Sequence, residues 1–132
     1  MKNLIYLFAI VLFVSCSKDE QPVIASKIPE TIYGDYAVLK TQMGTNHHYV
    51  PDWEIIRYTS NEVKIIEKSL NFDTVVMKVN GSELTIEKQT FTDGKSWTVT
   101  GNGTYTEPII NLVMSYDYGS DVYNYTVVAT KK

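Results

Sequence analysis

The segment IINLVMSYDYGSDVYNYTVVAT, residues 109–130, decides the fold of this chain. Gly119-Ser120 divides it, and such a pair between two alternating runs is typical of a two-residue hairpin loop. With this loop, one face of the hairpin carries four apolar or aromatic cross-strand pairs: Tyr116–Tyr123, Met114–Tyr125, Leu112–Val127 and Ile110–Ala129. A slip of one residue would move the whole apolar set to the other face, so the sequence specifies this register strongly.

The same alternation extends back towards residue 33. Turn signals recur every 10–14 residues, and no segment has a helical period long enough to compete. The pattern therefore predicts an all-β fold, an antiparallel up-and-down meander of about eight strands that closes into a small barrel. The expected strands lie near residues 33–42, 53–59, 62–69, 74–80, 82–91, 95–106, 109–118 and 121–130.

Two further hairpins have a definite expected geometry. Asn80-Gly81, taken as a two-residue loop, pairs Met77 with Leu84 and Lys78 with Glu83. Asp93-Gly94 marks the next hairpin and places Trp97 and Val99 on the same face as Leu84 and Ile86. Both hairpins therefore contribute one apolar face to a common interior.

Two places leave alternatives open. Around Ser60-Asn61 apolar pairs fall on both faces of the hairpin, so the inner side is unassigned and a bulge is one explanation. Gly101 and Gly103 indicate either a kink that helps to coil one long strand or a tight turn at Gly101-Asn102 that divides it.

The N-terminus has the features of a secretion signal. Lys2 precedes an apolar run from Leu4 to Val14, which is too short to span a bilayer as a helix. Ser15-Cys16 follows, and Cys16 is the single cysteine of the chain. This arrangement resembles the lipobox of bacterial lipoproteins, which implies removal of residues 1–15 and acylation of Cys16. Residues 16–30 then form a flexible tether, and residues 31–132 form one domain.

The residues after Cys16 suggest a destination. Lys18, Asp19 and Glu20 resemble the export signal of Bacteroidetes surface lipoproteins, in which a lysine precedes two acids. The resemblance implies an outer-membrane lipoprotein that faces the cell exterior, with the periplasmic face as the alternative. The lipid on Cys16 is then the contact with the membrane.

Charge and cysteine content restrict the partners and the means of stabilisation. The chain has 12 basic and 15 acidic side chains, a formal net charge of −3, which argues against nucleic acid as a partner. A single cysteine cannot form an internal disulfide, so the fold depends on its apolar core. A domain of about 100 residues is large enough for that.

Several stretches resemble one family. Residues 97–105, 109–116 and 125–131 resemble the C-terminal half of lipocalin-like domains in Bacteroidetes lipoproteins. The opening Tyr33-Gly34-Asp35-Tyr36 is similar to their Gly-x-Trp motif, with Tyr36 at the tryptophan position. The resemblance implies a lipocalin-like barrel and non-covalent binding of a small apolar or amphipathic molecule.

Motifs for enzymatic chemistry are missing from the sequence. It contains no nucleophile elbow, phosphate-binding Gly loop or zinc-protease motif, so we expect no enzyme and no cofactor. His47 and His48 are adjacent, and neighbouring side chains on an extended chain point apart. Asp52 could complete only a weak site, so we also expect no metal.

Aromatic residues are the most informative candidates for a binding site. Tyr36, Trp97, Tyr116, Tyr123 and Tyr125 share the inward face of the expected strands, and Trp53 is a further candidate. An eight-stranded barrel is either filled by its side chains or holds one small ligand, and both interpretations stay open. The loop between Met43 and Asp52 is long enough to act as a lid over an open mouth.

The alternative function has the filled barrel acting as a structural or accessory lipoprotein. Its outer face would then bind a protein or glycan partner through Ile109, Val113 and Val128. Separately, Asp73-Thr74-Val75 resembles the O-glycosylation acceptor of exported Bacteroidetes proteins, which makes Thr74 a candidate for modification.

Overall fold

The computed structural model of the protein describes residues 28–69 and 74–132. It consists of a short 3-10 helix, Glu30–Ile32, and nine strands. The bounds of the strands are β1 Gly34–Gln42, β2 His48–Tyr49, β3 Asp52–Arg57, β4 Glu62–Glu67, β5 Val75–Asn80, β6 Glu83–Asp93, β7 Lys95–Thr106, β8 Ile109–Asp117 and β9 Val122–Lys131.

Eight of these strands form a closed antiparallel barrel. Each strand from β3 to β8 pairs with the next one along the chain, and β1 pairs with both β3 and β9. The two-residue strand β2 adds to the edge of β1. The expected all-β, up-and-down meander is therefore confirmed, and the barrel is consistent with a lipocalin-like fold.

One end of the barrel is closed by the start of the domain. Ile28 and Ile32 are buried in the same core as the strands, and the exposure of Ile32 is 0%. The hydroxyl of the buried Tyr36 donates a hydrogen bond to the carbonyl oxygen of Ile32 at 2.8 Å. The Tyr105 hydroxyl donates to Thr31 Oγ1 at 2.9 Å. These contacts attach the 3-10 helix across the closed end.

The last hairpin has the register that its sequence predicts. Tyr116 pairs with Tyr123 and Leu112 with Val127, and the loop is Gly119-Ser120. Ile110, Leu112, Met114, Val127 and Ala129 are all buried.

The Asn80-Gly81 hairpin corrects the predicted register. Asn80 pairs with Glu83, so the loop residues are Gly81 and Ser82, and Val79 rather than Met77 faces Leu84. One strand is displaced by two residues relative to the other, so the inward faces stay as predicted. Lys78 does not pair with Glu83; its Nζ lies 2.7 Å from Glu87 Oε1 instead. Gly81 has a φ of 61°, which explains why the turn starts there.

The ambiguous hairpin between β3 and β4 has a definite inner side. Trp53, Ile55, Val63 and Ile65 are buried, whereas Ile56 is exposed on the outer face. Ile55 pairs with Ile65, which is one residue away from the register of a two-residue loop at Ser60-Asn61. The longer connection over residues 58–61 accommodates this difference.

A bulge in β6 and two glycines in β7 bend the barrel wall. The register changes between Ile86 and Gln89, so that Glu87 and Lys88 together oppose Thr100. On the other side of β7, a Cβ at Gly103 would lie 1.9 Å from the Asn111 carbonyl oxygen of β8. β7 is continuous through Gly101-Asn102, so the predicted kink applies and the tight turn is wrong.

Several predictions lie outside the described residues. They concern the signal segment, Cys16, the residues Lys18, Asp19 and Glu20, and Asp73. Within residues 28–69 and 74–132 there is no helix with the length and apolar character needed to cross a membrane.

Candidate ligand cavity

The barrel is open at the end opposite the 3-10 helix. At this open end β1 and β8 finish at Gln42 and Asp117, and β3 and β9 begin at Asp52 and Val122. A cavity of about 420 Å³ enters the barrel there. Its volume falls within the range of small-molecule pockets, roughly 300–1,000 Å³. The interior is therefore filled at one end and hollow at the other.

Every described strand except β6 contributes at least one residue to the cavity lining. The lining consists of Lys40, Tyr49, Val50, Pro51, Trp53, Ile65, Glu67, Ser69, Val75, Trp97, Met114, Tyr116, Tyr118 and Tyr125. Trp53, Ile65 and Met114 are almost completely buried and form its interior part. Apolar and aromatic groups dominate the lining, with a small number of polar groups among them, as in most ligand pockets.

Four of the six aromatic residues predicted for the site line the cavity. They are Trp53, Trp97, Tyr116 and Tyr125. Tyr36 is fully buried at the closed end and does not line the cavity, because its hydroxyl reaches away from the mouth to the Ile32 carbonyl oxygen. Tyr123 lies near the turn, is 37% exposed and packs edge-on against Tyr118 instead.

The aromatic rings form a connected wall. Phe91 stacks on Trp97 with ring centroids 4.4 Å apart, and Trp97 stacks on Tyr116 at 5.9 Å. The Tyr116 and Tyr125 rings meet at 90° with centroids 5.5 Å apart. Burial raises the pKa of the Tyr116 hydroxyl, so this hydroxyl remains protonated at neutral pH. The wall therefore offers flat apolar faces with neutral polar edges.

The segment between β1 and β3 forms one side of the mouth. Strand β2 pairs with β1 through Tyr49 and Lys40, which turns the segment back over the barrel rim. Tyr49, Val50 and Pro51 all line the cavity, and the Tyr49 ring packs edge-on against Tyr125 at 5.9 Å. A lid over the open mouth would have to occupy the position that Tyr49, Val50 and Pro51 have here.

Two charged residues of the cavity were not among the predicted site residues. Lys40 follows Tyr36 and Val38 at the alternating inward positions of β1. Glu67 follows Val63 and Ile65 in the same way on β4. A charged residue that continues an apolar inward face is a signal that the sequence alone contains. Lys40 and Glu67 are charged, so a prediction restricted to aromatic residues does not include them.

The environment of Lys40 is largely aromatic. Its Nζ donates a hydrogen bond to the Tyr116 hydroxyl at 2.9 Å. It also lies 4.3 Å from the Tyr116 ring centroid and 5.0 Å from that of Tyr125. Burial lowers the pKa of the Lys40 ammonium, and the negative charge of Glu67 opposes that shift. The ammonium is thus partly desolvated but electrostatically supported by ring faces.

Glu67 is held by the indole of the cavity. Trp53 Nε1 donates to Glu67 Oε2 at 3.3 Å. The ion pairs among the described side chains include neither Lys40 nor Glu67. The cavity therefore holds one cation and one anion that influence each other without direct contact.

The other candidate residues lie on the surface. His47 and His48 are exposed, His48 Nδ1 lies 3.0 Å from Thr41 Oγ1, and Asp52 pairs with Lys132 at 2.7 Å. Residues 28–69 and 74–132 contain no cluster of three or more potential metal ligands. Thr74 is half-buried beside the start of β5.

The outer-face residues of the alternative function also have definite positions. Val113 and Val128 are 47% and 40% exposed, and Ile109 is half-buried. Leu39, paired with Val128 across β1 and β9, is exposed beside them.

Comparisons of the chain with protein-family models, with curated proteins and with solved structures find no match.

Proposed function

We propose that this protein binds one small apolar or amphipathic molecule, without covalent chemistry, in the cavity at the open end of its barrel. The observation that carries the proposal is the 420 Å³ cavity with its aromatic lining in a barrel whose other end is filled. A filled core would have continued the packing of Tyr36 and Ile32 through to the mouth.

The lining supports an amphipathic ligand more than a purely apolar one. Trp97, Tyr116 and Tyr125 supply flat apolar contact, and tyrosine and tryptophan each add a polar tip. Lys40 and Glu67 add charge at two points of the wall. A ligand with an apolar body and a polar group uses both properties, because the body replaces water from the rings and the polar group keeps its hydrogen bonds.

We test this function by titrating a neutral fluorescent dye, phenylnaphthylamine, into the expected mature chain, residues 16–132, carrying Cys16→Ser. The substitution removes the proposed acylation site and the apolar run from Leu4 to Val14 is absent, so no detergent is needed. We expect one dye per chain. Val75→Trp places a large ring in the lining and should reduce the affinity at least about tenfold, whereas Val113→Trp on the outer face should leave it unchanged. Absence of dye binding to the parent chain would reject the function.

The same proposal includes the location. Cys16 is acylated, and the protein is anchored in the outer membrane as a lipocalin-like lipoprotein facing the cell exterior, with the periplasmic face as the alternative. In support, the described domain begins at the closed end, so a tether that continues from Ile28 enters opposite the mouth. An anchored barrel with this arrangement can keep its mouth accessible to solutes.

Two measurements test the location. Labelled palmitate should enter the parent chain and not the Cys16→Ser variant. External protease should digest the protein on intact cells, and replacing Lys18, Asp19 and Glu20 with Ala should protect it. If the triple variant is digested as fast as the parent, these residues are not the surface signal.

A second candidate function is favoured by the exposed Leu39, Val113 and Val128 on neighbouring strands. A protein or glycan partner could cover this outer face. A photo-crosslinker at position 128 on intact cells should then give one reproducible adduct that the same group at Ser60 does not give. Equal labelling from both positions would exclude a partner on this face.

A further inference from the structure

We propose that the ligand of the cavity carries one anionic oxygen group, of the carboxylate or sulfonate type, which binds Lys40 Nζ, on a compact aromatic or branched apolar body. This inference rests on the proposed function and assigns a chemical class to its ligand. Lys40 gives the cavity its selectivity, and the aromatic wall gives it most of its contact area.

The hydrogen-bonding capacity of Lys40 is the first part of the argument. An ammonium has three N–H donors. Within residues 28–69 and 74–132, one of them bonds to the Tyr116 hydroxyl, and no carboxylate lies in ion-pair contact with Nζ. Two donors are therefore available towards the cavity. A ligand oxyanion can accept them and give the cation the charged partner that partly buried ammonium groups normally have.

The two ring faces fix the position of that cation. Nζ lies over the Tyr116 and Tyr125 rings, and these rings meet at 90°. The ammonium is therefore held at a corner of the wall instead of extending into solvent. A preorganised donor loses little side-chain entropy when the ligand arrives, which favours affinity.

Glu67 defines where the anion cannot lie. Its carboxylate is fixed by the Trp53 indole on the same cavity wall, and its negative charge repels a ligand anion. An anionic ligand must therefore place its charged group beside Lys40 and its uncharged part towards Glu67. Lys40 and Glu67 together therefore determine the orientation of the ligand as well as the sign of the charge that it carries.

The lining also indicates the shape of the ligand body. Trp97 stacks on Tyr116 with 26° between the ring planes, and Phe91 and Tyr118 also stack on Trp97. A flat ring or a compact branched group extends such a stack better than a flexible polar chain does, because aromatic surfaces stack with an offset. The cavity therefore suits a small aromatic or branched carboxylate.

A matched pair of dyes tests this inference. Anilinonaphthalene sulfonate and phenylnaphthylamine share one aromatic skeleton and differ in the sulfonate group. Both tryptophans of the chain, Trp53 and Trp97, line the cavity, so quenching of their emission locates the bound dye. In the Cys16→Ser chain the anionic dye should bind about tenfold more tightly than the neutral dye, because a charge-assisted hydrogen bond to Lys40 contributes that much affinity.

Two substitutions should move this ratio in opposite directions. Lys40→Met should lower the affinity ratio of the two dyes to one or below, because the repulsion by Glu67 remains. Glu67→Gln should raise the ratio, because it removes that repulsion. Lys64→Met is the matched control. Lys64 also lies over a ring, at 4.2 Å from the Tyr58 centroid, but it does not line the cavity. The control should leave the ratio unchanged, and circular dichroism should show that each variant is folded.

The outcomes separate the inference from the function. If both dyes bind equally, or if Lys40→Met keeps the preference for the sulfonate, the anion site is rejected while the cavity remains a binding site. If neither dye binds, the proposed function is rejected and the inference with it. If Lys64→Met abolishes the preference for the anionic dye as Lys40→Met does, the anion site is also rejected, since the effect then comes from net charge alone.

Discussion

At the scale of single residues, the buried charge of Lys40 lowers the free energy of unfolding. Its ammonium contacts aromatic rings and one hydroxyl, and burial lowers its pKa. A base whose pKa is lower in the folded than in the unfolded chain binds fewer protons when folded. The free energy of unfolding therefore increases as the pH rises from the folded pKa to the unfolded value near 10.4. At neutral pH the protein carries the full cost of the charge.

We therefore predict that Lys40→Met leaves the stability unchanged or increases it by roughly 1 kcal/mol at neutral pH, although it removes a hydrogen bond. The difference between the two proteins should shrink as the pH approaches the pKa of an unfolded lysine. Urea unfolding at pH 7 and at higher pH measures both effects. A clear loss of stability in the variant at pH 7 would mean that Lys40 is a structural residue and not a ligand group.

Tyr36 shows the opposite case, a predicted binding residue with a structural position. Its hydroxyl is buried and bonds to the Ile32 carbonyl oxygen at the closed end. Tyr36→Phe should lower the free energy of unfolding by about 1 kcal/mol, the value of one hydrogen bond with its buried acceptor left unpaired. The affinity for both dyes should not change. A weaker dye affinity in the folded variant would place Tyr36 in the site after all.

At the scale of the strands, β7 and β8 approach each other unusually closely. A Cβ at Gly103 would overlap the Asn111 carbonyl oxygen of β8, so the strand needs glycine there for space and not for a special φ. Gly81 has the reverse requirement, because its φ of 61° favours glycine but its surroundings are open.

The two glycines give a direct comparison of these causes. Gly103→Ala should destabilise the protein by about 3 kcal/mol or more, because the two strands must separate. Gly81→Ala should cost only about 1–2 kcal/mol, the strain of a left-handed conformation. Thermal and urea unfolding of both variants give the ranking. Equal losses would show that the close approach of β7 and β8 does not constrain the barrel.

The strands also show what the sequence could predict. Alternation identified all eight barrel strands, and the β8–β9 register followed from its four apolar pairs. The predicted β5–β6 register is wrong because Asn80-Gly81 and Gly81-Ser82 are both good turns, and displacing one strand by two residues relative to the other preserves every inward face. Alternation cannot distinguish two registers that bury the same residues.

At the scale of the whole molecule, the barrel combines a filled end and a hollow end. Inward-facing residues are visible in the sequence, but their height along the barrel axis is not, because it depends on strand pairing and tilt. Alternation alone therefore does not distinguish Tyr36 from Tyr125, although Tyr36 is buried at the closed end and Tyr125 lines the cavity. The role of residues 28–32 in the core was also not predicted, since they show no strand pattern.

The closed end should contribute to stability independently of the cavity. Ile32→Ala should lower the free energy of unfolding by about 2–4 kcal/mol, since it removes a fully buried side chain. Ile56→Ala, on the exposed outer face, should cost less than about 1 kcal/mol. Dye affinities of both folded variants should match the parent. If Ile32→Ala weakens dye binding at temperatures where it is fully folded, the two ends are coupled.

Native mass spectrometry tests the central claim, that the hollow end holds a small molecule, most directly. The mature chain, residues 16–132 carrying Cys16→Ser, would be exported in its own host behind a cleavable signal peptide, purified, and measured under native and then denaturing conditions, with Val75→Trp measured alongside. The account predicts one reproducible added mass per chain, lost on denaturation, reduced by Val75→Trp and detected as an anion in the extract. A bare chain mass, both as purified and after incubation with an extract of the host cells, would contradict it.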